Sequence, residues 1–151
     1  MRRHNNLLQT FFALMCLILL NQNAMSQKSA IEMVKAAKQE IENLTPQQAL
    51  SEMKAGNVNI IDIREPEEIK QTGKIAGSVN APRGMLEFYA DASLSYHKEV
   101  FNKDKRLILY CASSGRSALA VKTLKEMGYT NVAHIEGGLK AWQEAGLPLE
   151  K

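Results

Sequence analysis

The stretch "LILYCASSGRSALA", Leu107 to Ala120, changes character at Cys111. Before the cysteine, Leu107-Ile108-Leu109-Tyr110 is an unbroken apolar run of the kind a sheet buries on both faces. After it come four small residues, Ala112-Ser113-Ser114-Gly115. They lead into a helical pattern that opens at Arg116 and carries Ala120, Leu124 and Met127 on one stripe, with Gly128 as its stop. Strand, tight loop and helix in that order make the repeating unit of a parallel sheet.

The flanking chain repeats the alternation. Val58 to Ile63 is a β-branched run, and Val132 to Ile135 is another, so both read as strands. Ahead of the first, Thr45-Pro46 is a helix start, with Ala49, Leu50 and Met53 on its buried side and Gly56 at its end. Glu65-Pro66-Glu67-Glu68 opens a short helix, with proline in the first turn and acids at the positive end of the dipole. Gly73 and Gly77 bracket a loop. Gly84 to Ala90 and Leu94 to Phe101 read as helical, and Gly137-Gly138 turns into a last helix that packs Trp142 into the core. Upstream, Ile31, Val34, Ala37, Lys38 and Ile41 advance by threes and fours, which predicts an amphipathic helix over 29–41. The fold class is therefore α/β: a central parallel sheet with helices on both faces, over residues 43–151, plus an N-terminal helical extension over 27–42.

Residues 1–26 differ in kind. Met1-Arg2-Arg3-His4 is basic, Leu7 to Leu20 is almost wholly apolar, and Asn21 to Ser26 is short and polar. This is the layout of a secretory signal peptide, with cleavage after Ser26 and a periplasmic or secreted product. The alternative is an uncleaved anchor, although the apolar core falls short of the about 20 residues of a membrane span. Losing Arg2 and Arg3 lowers the formal net charge from +3 to +1. So small a charge, without a Lys/Arg cluster, predicts no nucleic-acid partner, and no membrane association is expected after cleavage. Cleavage also removes Cys16 and leaves Cys111 as a single thiol in an exported protein. On that count alone it reads either as a buried inert cysteine or as a reactive one.

The loop around Cys111 tips the reading toward reactivity. Sites in open parallel sheets form beyond the carboxyl ends of the strands. Small residues let the backbone curl and turn several N–H groups toward one point, and a helix N-terminus follows. Such a nest suits an anion and stabilises a thiolate. Phosphatases of the tyrosine type place five residues between cysteine and arginine, whereas Cys111 and Arg116 have four between them. The smaller ring fits a persulfide sulfur better than a phosphate. Arg83, between Pro82 and Gly84, reads either as a flank of the pocket that binds a sulfonate or as a solvated surface residue. Asp62 and Arg64, at the end of the first strand, read as ties between loops. His97 and His134 have no partner at ligand spacing, so no metal or other cofactor is expected.

At this point the chain resembles a family, the exported bacterial single-domain rhodaneses, which are sulfurtransferases. The loop "CASSGRS" is similar to the family's active-site loop. "IDIREPEE" (Ile61 to Glu68), "GKIAGSVNAPRG" (Gly73 to Gly84) and "GGLKAWQEAGLP" (Gly137 to Pro148) resemble its other marked segments, in the same order. The resemblance implies double displacement through a Cys111 persulfide. The amides of Ala112, Ser113, Ser114 and Gly115, with Ser117, would hold the transferred sulfur, and Arg116 would attract a small anionic donor such as thiosulfate. A thiophilic acceptor, or a protein persulfide partner, would complete the cycle. A persulfide carrier is the main competing function, and a phosphatase-like enzyme is a further alternative. One departure stands out: the family often has glycine three residues after the cysteine, where this chain has Ser114, and a positive φ there would be strained.

Overall fold

The computed structural model describes residues 27–151, and the expected signal peptide over 1–26 lies outside the described residues. Among the described residues, seven helical segments and seven short strands follow one another. They are α1 (Ala30–Glu40), β1 (Glu42–Leu44), α2 (Pro46–Ala55), β2 (Val58–Asp62), α3 (Pro66–Thr72), β3 (Lys74–Ile75) and β4 (Val79–Asn80). A 3-10 turn at Arg83–Met85 then precedes α4 (Leu86–Ala90), β5 (Arg106–Tyr110), α5 (Gly115–Glu126), β6 (Val132–Ile135), α6 (Gly138–Glu144) and β7 (Leu149–Glu150). The main sheet has the order β1-β6-β5-β2-β4, and every pairing in it is parallel.

Alternation along the central strands divides the core between the two faces. Ile61, Leu107 and Leu109 pack with Ala118, Val121 and Leu124 of α5 and with Ala37 of α1. Ile60, Ile108 and Tyr110 pack with Ala49 of α2 and with Leu139 and Trp142 of α6. Neither face meets water, which is why these strands read as continuous apolar runs rather than as alternating ones. Burial of the large side chains on both faces is the main driving force for the fold.

Local chemistry explains the helix ends. Ser29 and Glu32 form a capping box at α1, and Thr45 and Gln48 form another at α2, so each start satisfies two orphan backbone groups. Gly56 ends α2 at φ 82°, a conformation that disfavours any side chain.

The expected α/β architecture is present, with local differences. Leu94 to Phe101 is not helical but a series of turns: Asp91 caps Ser93, and Lys98 N–H reaches back to the Tyr89 carbonyl. Phe101 is buried there and its carbonyl accepts a 2.9 Å hydrogen bond from the Tyr129 hydroxyl, a tertiary demand that overrides the helical spacing. Ile31 was expected on the buried stripe of α1 but is 81% exposed; Val34, Ala37 and Ile41 make the contact instead. Finally, the stretch that Gly73 and Gly77 bracket holds β3, which pairs antiparallel with the C-terminal β7.

Candidate active site

Cys111 follows the last residue of β5 at the middle of the sheet, and only 1% of it is exposed. The loop after it is shaped by the start of α6. Leu139 N–H donates to the Cys111 carbonyl at 2.8 Å, and Lys140 N–H donates to the Ala112 carbonyl at 3.0 Å. The Ser114 carbonyl turns the other way along the helix and accepts from Ala118 N–H at 2.9 Å. In a trans peptide the N–H points opposite the carbonyl of the preceding residue. Tying back these carbonyls therefore turns the N–H groups of Ala112, Ser113 and Gly115 away from those acceptors. Among the described residues, none of the N–H groups from Ala112 to Arg116 has an acceptor. A run of acceptor-free N–H groups is what an anion nest requires.

Two backbone conformations make this possible. Gly138 sits at φ 61°, and a Cβ there would lie 2.4 Å from the Cys111 carbonyl oxygen, so only glycine lets α6 come this close. Ser114 sits at φ 84°, the strain anticipated for a non-glycine residue at this place. Its hydroxyl donates to Glu136 at 3.2 Å, which offsets part of that strain.

Arg116 opens α5 beside the cysteine, but it is not a free cation. Its two terminal nitrogens each donate to a Glu68 carboxylate oxygen at 2.7 Å. That hydrogen-bonded arginine holds the Glu68 carboxyl down to about 2 against the opposing effect of burial. Arg116 is itself raised, first by Glu68 and to a lesser degree by Cys111. A cleft of about 250 Å³ runs between α3 and α6 past Ala112, with Glu68, Gln71, Lys140 and Gln143 on its walls. A larger hollow of about 730 Å³ lies elsewhere, around Asp91, His97, Lys103 and Tyr129, and touches no residue of the Cys111 loop. Of the two hollows, only the smaller reaches the loop after Cys111, at Ala112, and it is walled by Glu68, the partner of Arg116.

The sequence-predicted residues sort unevenly around this centre. Ala112, Ser113, Ser114, Gly115 and Arg116 form the turn from Cys111 into α5. Ser117 is fully buried, and its hydroxyl accepts from the Cys111 thiol at 3.6 Å, so it faces the cysteine from inside the protein rather than lining the cleft. Asp62 and Arg64 form a buried pair with a shortest contact of 2.6 Å, and Arg64 also donates to Thr72 and to the Gly73 carbonyl. They tie the end of β2 to the end of α3. Arg83 neither flanks the cleft nor floats in solvent: it pairs with Glu87 at 3.0 Å and reaches Thr123 on the third turn of α5. Its neighbour four residues along the chain captures it.

Three residues at the site were not singled out for it by sequence reasoning. Glu68 read only as a favourable first-turn acid, although it lies inside the quoted "IDIREPEE" segment. His134, in the fully buried strand "VAHI", contacts Ser117 at 3.1 Å. Burial pushes its imidazole down to about 4, so it is neutral at neutral pH. A histidine in an otherwise apolar strand was the available signal, since such a group must find hydrogen-bond partners. Glu136, just after that strand, joins Ser114 to Lys38 of α1.

Comparison with known proteins places this fold in a family. The chain is 36% identical over 92 residues to thiosulfate sulfurtransferase 16 (chloroplastic) of Arabidopsis thaliana, covering 58% of this chain and 76% of that protein. Among solved structures it is similar to a Rhodopseudomonas palustris protein of unknown function described as a possible tyrosine phosphatase. That match has 45% identity and a TM-score of 0.78, over 86% of this chain and all of the other. It is also similar to the homodimeric polysulfide-sulfur transferase of Wolinella succinogenes, with 33% identity, a TM-score of 0.64 and coverage of 78% and 84%. The family described as "Rhodanese-like domain" matches residues 45–145, and with that match the chain belongs to the rhodanese-like family.

Proposed function

We propose that the protein moves a sulfane sulfur from a small anionic donor of the thiosulfate type to a thiophilic acceptor. The Cys111 thiolate attacks the outer sulfur of the donor. The donor's S–S bond breaks, sulfite leaves with the electron pair, and Cys111 carries a persulfide. An acceptor thiolate then attacks the outer sulfur and the bond to Cys111 breaks, returning the pair to Sγ. The nest amides stabilise the anionic sulfur in both steps without reorganising, which is the largest contribution such a site can make.

The observation that carries this reading is the set of acceptor-free N–H groups from Ala112 to Arg116 beside a buried cysteine. The possible-phosphatase description of one neighbour makes phosphate transfer the reading to beat. The loop opposes it twice: it is one residue short of a phosphatase ring, and Glu68 occupies the guanidinium that would clamp phosphate oxygens. The test is mass spectrometry after thiosulfate treatment. Wild type should gain one sulfur on Cys111 and Cys111→Ser should gain none. Aryl-phosphate hydrolysis that depends on Cys111, without sulfur loading, would sink the proposal.

We also propose that the protein acts outside the cytosol, on the strength of the tripartite leader over residues 1–26. Protein isolated from the cell envelope or medium should begin at Gln27, and an N-terminus at Met1 would count against it.

A further inference from the structure

A chain of polar groups runs from Cys111 into the protein interior. The Cys111 thiol lies 3.6 Å from Ser117 Oγ, which lies 3.1 Å from His134 Nδ1. On its other side His134 Nε2 is 2.8 Å from Asn43 Oδ1. Asn43 sits in β1, directly opposite His134 in the parallel pairing with β6.

The hydrogen positions along this chain follow from its far end. The Asn43 amide nitrogen donates to the backbone carbonyls of Lys38 at 2.9 Å and Ile41 at 3.0 Å. These two acceptors fix which way the amide points, so the atom facing His134 is the oxygen, an acceptor only. Nε2 must then carry a hydrogen. A neutral ring has no second one, so Nδ1 is a bare lone pair and takes the hydrogen of Ser117. The Ser114 carbonyl, 3.0 Å from the same hydroxyl, already receives Ala118 N–H and is satisfied without it. Ser117 Oγ is left with lone pairs toward Cys111. Every donor in the series therefore points inward, from Sγ to Oγ to Nδ1.

We propose that His134 is a positioning residue that receives the proton of Cys111 through Ser117, with Asn43 of β1 setting its tautomer. The inference rests on the reading of Cys111 as the reacting atom. When the thiol ionises, the Sγ–H bond breaks and its electron pair stays on sulfur. The proton passes to Ser117 Oγ while the hydroxyl's own hydrogen passes to Nδ1. The thiolate then accepts a hydrogen bond from Ser117, and the charged ring donates to Ser117 and Asn43. Glu136, with an oxygen 3.6 Å from Nε2, raises the ring's affinity for the proton, while burial and Lys38 lower it. The charged ring is consequently tied to the thiolate as a coupled pair. Once Sγ bonds a second sulfur and its charge moves to the outer sulfur and the departing sulfite, the ring gives up its proton through Ser117 to that sulfite or to water and returns to neutral.

The partner groups Asn43 and Lys38 lie upstream of residue 45, outside the stretch that matches the family. The chain ahead of residue 45 thus reaches the reacting cysteine from behind: Lys38 through its pair with Glu136 and its carbonyl on Asn43, and Asn43 through His134.

The test follows the rate of Cys111 alkylation by iodoacetamide against pH, a reaction that needs no sulfur donor and so stands even if sulfur transfer fails. Ser117→Ala should slow alkylation at neutral pH about tenfold and move the profile up by about one unit, the worth of a charge-assisted hydrogen bond. His134→Asn keeps an acceptor near Nδ1 but cannot take the proton, so it should shift the profile equally, and the double variant should be no slower than either single one. A purely structural histidine would instead be rescued by asparagine, and a wild-type profile in His134→Asn overturns the proposal. Nitrogen NMR of wild-type His134 decides independently of any variant's folding: a hydrogen on Nε2 is expected at neutral pH, and a hydrogen on Nδ1 with Nε2 bare refutes the relay.

Discussion

Asp62→Asn removes one charge from a pair that has almost no contact with water. Arg64 is 1% exposed and Asp62 fully buried. The guanidinium makes three contacts with the carboxylate, between 2.6 and 3.1 Å, plus one to Thr72 and one to the Gly73 carbonyl. Asparagine keeps the volume but leaves a buried cation facing a neutral amide. Breaking a buried pair from one side costs about 3–5 kcal/mol, a large part of the about 5–15 kcal/mol that holds such a domain together. With a urea slope of about 2 kcal/mol/M, the denaturation midpoint should fall by about 2 M. Replacing both partners in Asp62→Leu/Arg64→Met should cost less than the single change, because no charge is stranded. The damage should extend to the cleft, since Arg64 fastens the end of α3 and α3 carries Glu68, the partner of Arg116. Equilibrium urea unfolding gives the first number and thiosulfate kinetics the second. A midpoint within about 0.3 M of wild type would refute the claim that this buried charge needs its partner.

Gly138→Ala should lower the rate of Cys111 sulfur loading by more than tenfold, because the new methyl would sit 2.4 Å from the Cys111 carbonyl and force α6 off the loop. Loading at the wild-type rate in a folded variant would contradict the assigned role of α6. Stability should also fall between about pH 6.5 and about pH 4: His134 is depressed to about 4 in the folded protein, so over that window the unfolded chain binds more protons. The loss is at most about 3 kcal/mol, and thermal melts across the window should flatten in His134→Asn. Glu68→Gln should free the Arg116 guanidinium, lower the apparent KM for thiosulfate and make it more sensitive to salt. An unchanged KM and salt response would mean that Arg116 shapes the loop without attracting the donor.

How much of this was legible in the sequence depended on the range of the interactions involved. β2, β5 and β6 were readable because burial on both faces makes each a continuous apolar run. β1 was not, because Glu42-Asn43-Leu44 is a three-residue edge strand, and its identity comes from the register it shares with β6. The two-residue strands β3 and β7 exist only through each other, across a long stretch of chain. At the site, Cys111 and the small residues after it announced the nest locally, and Ser114 announced its positive φ. The pairing of Arg116 with Glu68 could not be read, because the two are 48 positions apart and both side chains suit an exposed helix start equally well. Arg83 failed for the opposite reason: its sequence neighbour Glu87 takes it before any pocket can.

The carbonyls of Cys111 and Ala112 are held by Leu139 and Lys140, which places a condition on the order in which the site is made. A chain emerging from its N-terminus delivers the thiol well before the two amides that shape the loop around it. Until α6 docks, those carbonyls are loose, the backbone N–H groups have no common target, and Cys111 is an ordinary thiol on an unfinished sheet. Reactivity therefore arrives last, as a consequence of completed folding. If the proposed leader exports the chain unfolded, the same order of events would keep the cysteine quiet during transit. Chains truncated before Gly137 should accordingly react with iodoacetamide no faster than a free cysteine, and a fast-reacting truncated chain would show that the loop sets itself without α6.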